Sequence, residues 1–142
     1  MPDPTDPVPA EAATGTGLGP ADTGVGAALR FVVEVAAWVV IARAVGSAVG
    51  GLLTYVLVVA VLIGVTATFN AEGDKRNQGV VVPGPVRLAL EAALAAGLII
   101  AAAYLWGGRG LLAAVVLAGA AAYTGRRRYA WLLGRWEPQP DA

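Results

Sequence analysis

Cysteine and histidine are both missing from the 142-residue chain. Without thiols there is no disulfide framework, no thiolate nucleophile and no sulfur ligand for a metal. Without imidazole the commonest general base and the commonest zinc ligand are gone. Charge is scarce too: 14% of residues are charged and 57% are apolar, a balance richer in apolar residues than that of a soluble domain. The ten basic residues are all Arg except Lys75, which, beside abundant Ala, Val and Gly, reads as coding bias more than chemistry. Nucleophile elbows and paired carboxylates with a His are absent, and Gly15-Thr16-Gly17-Leu18-Gly19 has no strand before it to make a phosphate loop. The chain is therefore expected to be no enzyme, to carry no cofactor or metal, and to bind no nucleic acid.

What is present is four apolar runs, at about 27–45, 51–69, 86–106 and 110–125. They predict an all-α membrane protein with four transmembrane helices. The fourth run is shorter than the usual span of about 20 residues and needs thinned lipid or snorkelling flanks, which Arg109 and Arg126 supply. Gly46-Ser47-Ala48-Val49-Gly50 and Gly107-Gly108-Arg109 link runs one to two and three to four. Such short Gly-rich links predict two tandem helical hairpins. A loop at 70–85 joins them; it holds Glu72, Asp74, Lys75 and Arg76, then Val80-Val81-Val82, too short a signal for a strand. Pro85 fits the first turn of the third helix, where its fixed φ and missing N–H are tolerated.

Residues 1–26 hold Asp3, Asp6, Glu11, Asp22 and five prolines, with no basic n-region and no apolar h-region. They read as a disordered acidic tail, not a cleavable signal. Arg30, Lys75, Arg76, Arg87, Arg126, Arg127, Arg128 and Arg135 fall on one side of the four runs, and only Arg43 and Arg109 on the other. This asymmetry places both termini and the 70–85 loop in the cytoplasm. Tyr55, Tyr104 and Trp106 near one interface and Phe69, Tyr123 and Tyr129 near the other fit those limits, whereas Trp38 falls near mid-bilayer.

The most specific feature is a repeat: Arg30-Phe31-Val32-Val33-Glu34 opens the first run and Arg87-Leu88-Ala89-Leu90-Glu91 the third. Arg and Glu four apart lie on one helix face, one turn from each other. Just inside a bilayer such groups are costly and usually paired. Arg30, Glu34, Arg87 and Glu91 are therefore read as a structural charge clasp between the hairpins. The spacing does not settle pairing within each helix against crosswise pairing as Arg30–Glu91 and Arg87–Glu34, but two copies entering from the cytoplasmic side favour some crosswise contact. The competing functional reading gives Glu34 and Glu91 a proton or cation path. An Arg one turn from each Glu argues against that role.

On the third helix Arg87, Glu91, Leu94, Leu98 and Leu105 share one face, with Ala89, Ala92, Ala93, Ala96 and Ala103 opposite. The alanine stripe predicts close packing on a second neighbour, although a coding bias toward alanine explains it equally well. After the fourth run, Tyr129, Leu132, Leu133 and Trp136 follow amphipathic spacing. Residues 126–142 thus read as an interfacial segment and short tail. Arg126, Arg127, Arg128 and Arg135 form its basic cluster, facing anionic lipid.

Ala28-Leu29-Arg30-Phe31-x-x-Glu34 with Pro83-Gly84-Pro85-Val86-Arg87-x-x-x-Glu91 resembles the YrdB-like family of small bacterial membrane proteins. The resemblance spans about residues 27–125. It implies four spans in the bacterial inner membrane and no established activity. A structural or accessory membrane component, alone, as a homodimer or with a membrane-protein partner, is the leading expectation. A small dimeric transporter or ion-coupled exporter using membrane carboxylates is the alternative. Thr54, Thr66 and Thr68 are nearly the only uncharged polar residues in the runs, few for a transport path.

Overall fold

The Thr23 hydroxyl accepts the backbone N–H of Gly26 at 3.0 Å, so a side-chain cap starts the first helix before the apolar run itself begins. The computed structural model describes residues 23–71 and 80–135. Helix α1 runs Gly24–Val49, and α2 runs Leu52–Thr68. The acidic tail therefore ends earlier than residue 26, and its residues 1–22 lie outside the described residues. The turn between α1 and α2 is tighter than the five-residue link expected. α1 continues through Val49, and Gly50 (φ 95°) and Gly51 (φ 93°) alone reverse the chain. Residues with a Cβ rarely adopt such φ values, which is why two glycines stand there.

A short strand β1 (Phe69–Ala71) follows α2 and pairs in parallel with β2 (Val80–Val82), Phe69 opposite Val80. The three valines are thus a strand after all, a pairing their brevity hid. Glu72, Asp74, Lys75 and Arg76 lie outside the described residues.

The third and fourth apolar runs form one element, α3 (Gly84–Thr124), with Pro85 in its first turn. It is two helical limbs joined at Gly107, whose φ of 61° and ψ of −144° leave the helix. The limbs fold back on each other. A Cβ on Gly110 would overlap the Ala102 carbonyl oxygen, and Ala102 and Ala114 belong to the same core. A last helix, α4 (Arg126–Leu132), returns to the start of α3, where Gly84 lies against the Leu132 backbone.

Apart from the two-strand pair and short turns, the described residues are helical. α1 packs on both α2 and α3. The core joins Val33 and Ala37 of α1 to Leu94, Leu98 and Ala102 on the first limb of α3 and Ala114 and Ala121 on the second. The face of α3 carrying Arg87, Glu91, Leu94 and Leu98 is buried. The opposite alanines Ala89, Ala92, Ala93 and Ala96 are exposed rather than packed on a second neighbour. Ala92 and Ala96 edge a cavity that the second limb also lines, so that limb lies near the stripe without packing on it.

Apolar side chains otherwise point outward. Leu52 is 79% exposed, Leu53 70% and Ile100 70%, and the one buried residue of α2 is Thr66. α1 and α3 are long and apolar enough to cross a membrane, and only 22% of the residues in the most apolar 18-residue window of each are buried.

Candidate functional site

Arg87 sits one turn into α3, directly beneath the end of α2. A helix end leaves its last carbonyls without intrahelical donors. Arg87 supplies them: Nη1 donates to the Phe69 carbonyl at 2.9 Å and lies 3.4 Å from that of Thr66. The rest of the guanidinium faces acid. Nη2 is 3.4 Å from Glu34 Oε1 on α1, and Nε is 3.2 Å from Glu91 Oε1 one turn further along α3. One planar fork thus ties α1, α2, β1 and α3 together, a geometry that a lysine point charge cannot reproduce.

Glu91 is held from two sides. Its Oε1 faces Arg87 and its Oε2 accepts Arg128 Nη1 from α4 at 3.0 Å. Arg87, Glu91 and Arg128 have side chains 2%, 7% and 1% exposed, and Glu34 13%. Ions so far from water are tolerated when each meets an opposite charge or a hydrogen-bond partner.

The placement both joins and separates the sequence-predicted residues. Arg87 makes a crosswise contact to Glu34 and a within-helix contact to Glu91 at once, so the two pairing schemes are not exclusive. The two copies of the repeat are not equivalent: Arg87 and Glu91 are buried, whereas Arg30 and Glu34 are half-buried and line a cavity. Arg126, Arg127 and Arg135 are exposed, and Arg126 stacks on the Tyr123 ring, 4.6 Å from its centroid. Arg128 departs from that basic cluster. It turns inward to Glu91 instead of facing headgroups. The sequence signal that was missed is its i, i+4 relation to Leu132, the buried anchor of α4; Leu133, counted on the apolar face, is 41% exposed. Trp136, on the same expected face, lies outside the described residues.

The cavity beside this cluster measures about 560 Å³ and lies between α1 and the two limbs of α3. Arg30, Glu34, Glu91 and Tyr129 line one end, and Ile99 and Val115 the other. The threonines do not contribute polar groups to it. Thr66 and Thr68 return their hydroxyls to Leu62 and Gly64 of their own helix, and Thr54 to Gly50 in the turn before it.

No family model, no curated protein and no solved structure matches this chain.

Proposed function

We propose that the chain is a small multi-pass protein of the bacterial inner membrane, acting as a structural or accessory component without catalytic activity. α1, α2 and the two limbs of α3 are its four spans, arranged as two helical hairpins with both termini in the cytoplasm. The observation that carries this reading is the inverted distribution of side chains. Leu, Val and Ile cover the outside, while Arg87, Glu91 and Arg128 are sealed within. In water that arrangement exposes more contiguous apolar surface than a soluble monomer tolerates. In lipid it is the expected one, since intramembrane charges turn inward and pair. The resemblance of residues 27–125 to the YrdB-like family implies the same setting.

Glu34 and Glu91 act in this reading as parts of the clasp. Glu91 meets a guanidinium at each oxygen, which leaves it no position from which to load and release a cation. The ion-coupled exporter reading is correspondingly weaker. Reporter fusions test the topology: one after residue 79 is expected to report the cytoplasm and one at Gly108 the exterior. An exterior signal at residue 79 rejects the four-span arrangement.

A further inference from the structure

We propose that the pocket at the turn between α1 and α2 binds a phosphate group. That its source is a phospholipid of the outer leaflet rests on the membrane reading. The pocket measures about 470 Å³ and is lined by Arg43, Gly46 and Ser47 of α1, Gly51 of the turn, and Leu52 and Tyr55 of α2. Arg43 and Ser47 stand one turn apart on one face of α1. Glycine brings the opposite wall close: a Cβ on Gly46 would lie 3.5 Å from the Tyr55 Cβ, so Tyr55 stands directly against α1. The Ser47 hydroxyl donates to the Ala44 carbonyl at 2.8 Å, so its proton is already committed. The donors left for a ligand are the Arg43 guanidinium and the Tyr55 O–H. Neither has a hydrogen bond or ion pair among the described residues.

Charge selects an anion. Arg43 is the one charged residue in the lining. The described residues hold two carboxylates, Glu34 and Glu91. Glu91 faces Arg87 and Arg128, and Glu34, which meets Arg87, precedes Arg43 on α1 by about 14 Å at the helical rise. Depth selects phosphate. Arg43 lies about 10 Å along α1 from Gly50, and Tyr55 about 6 Å along α2 from Gly51. In the four-span arrangement that turn faces the exterior. Both side chains then fall at the edge of the hydrocarbon core, where phospholipid phosphates are the nearest anions and an unpaired charge is costly. The guanidinium offers a planar fork that meets two phosphate oxygens at once, and the Tyr55 O–H adds a further donor.

The test uses the full chain in a maltoside detergent, which carries no phosphate, and reads the first lipid retained by native mass spectrometry. Phosphatidylglycerol and diacylglycerol with identical acyl chains are supplied in equal amounts. Phosphatidylglycerol is expected to be retained about fivefold over diacylglycerol, the ratio that one Arg–anion contact supplies. Arg43→Gln is expected to bring that ratio close to one while keeping the melting temperature, because Arg43 is exposed. Tyr55→Phe is expected to lower it about twofold, the loss of one weak hydrogen bond. Arg109→Gln, exposed at the break between the limbs of α3 on the same side, is expected to preserve it. A second arm adds inorganic phosphate at constant ionic strength and follows the melting temperature. A rise that Arg43→Gln removes identifies free phosphate as a ligand; phosphatidylglycerol preference with no such rise identifies the lipid headgroup. The proposal is overturned if Arg43→Gln keeps the preference, if Arg109→Gln removes it as fully as Arg43→Gln does, or if neither form of phosphate binds. Flotation with vesicles separates the two levels. A chain that floats but binds no phosphate through Arg43 refutes the pocket alone. A chain that does not float yet binds inorganic phosphate through Arg43 refutes the membrane reading and leaves the pocket standing.

Discussion

Glu91 is the residue on which the charge cluster turns, because each of its oxygens faces a different buried guanidinium. Breaking a buried ion pair from one side strands the other charge, at a cost of about 3–5 kcal/mol. Glu91→Gln removes the carboxylate that faces both Arg87 and Arg128 and is expected to lower thermal stability in detergent by about that much. Glu34 meets the same Arg87 that Glu91 faces, at a longer distance and from a more exposed carboxylate. Glu34→Gln is expected to cost less than Glu91→Gln, because a carboxylate nearer water gives up less when its charge is removed. Equal melting temperatures for the two variants would refute a cluster centred on Glu91. The four-residue spacing of Arg and Glu made this site legible, since helical geometry alone puts those side chains together. Two partners were missed. The Phe69 carbonyl carries no side-chain signature, and Arg128 stands among three consecutive arginines, where only its i, i+4 relation to Leu132 sets it apart.

Between elements, glycine decides how closely backbones approach. A Cβ on Gly84 would overlap the Leu132 carbonyl oxygen where α4 crosses the start of α3, and one on Gly110 would overlap that of Ala102 where the two limbs begin to separate. Neither obstacle is a flexible side chain, so the backbone itself must shift. Gly84→Ala and Gly110→Ala are each expected to destabilise by about 1–3 kcal/mol, the usual cost of overpacking, despite the better helix propensity of Ala. Gly84→Ala is also expected to increase hydrogen exchange in α4, because it pushes away the helix that carries Arg128. Unchanged exchange and stability in Gly84→Ala would refute the close contact. At this scale the sequence was informative where chain chemistry is local. The break at Gly107 and the reversal at Gly50–Gly51 sit in Gly-rich links, and Pro85 lies in the first turn of α3. It was uninformative where partners are chosen. Alanine occurs on both faces of the first limb, and only the fold-back of the second limb determines which face is buried.

For the molecule as a whole, the four-span arrangement proposed above makes helix length bear on the lipid it suits. α2 has 17 residues, and the second limb of α3, at 108–124, has the same length. At 1.5 Å per residue each spans about 25 Å, less than a typical hydrocarbon core near 30 Å. α1, with 26 residues, reaches about 39 Å and can tilt to fit a thinner core. A short helix has no such freedom and must thin the bilayer or snorkel its flanks. The charge cluster limits the second option for one of the two. The end of α2 is held by Arg87 through the Phe69 carbonyl, so that helix cannot slide toward the interface without breaking the contact. The second limb has exposed Arg109 and Arg126 at its two ends, whose long stems reach headgroups at small cost. Thickness mismatch should therefore load the α2 end of the molecule first. In vesicles of lipids with 14-carbon chains the protein is expected to melt higher than in vesicles with 20-carbon chains. Arg87→Lys, which keeps the charge but loses the fork, is expected to narrow that difference, because α2 is then free to shift. Equal melting temperatures across chain lengths for the unaltered protein would show that its short helices do not set the bilayer it prefers.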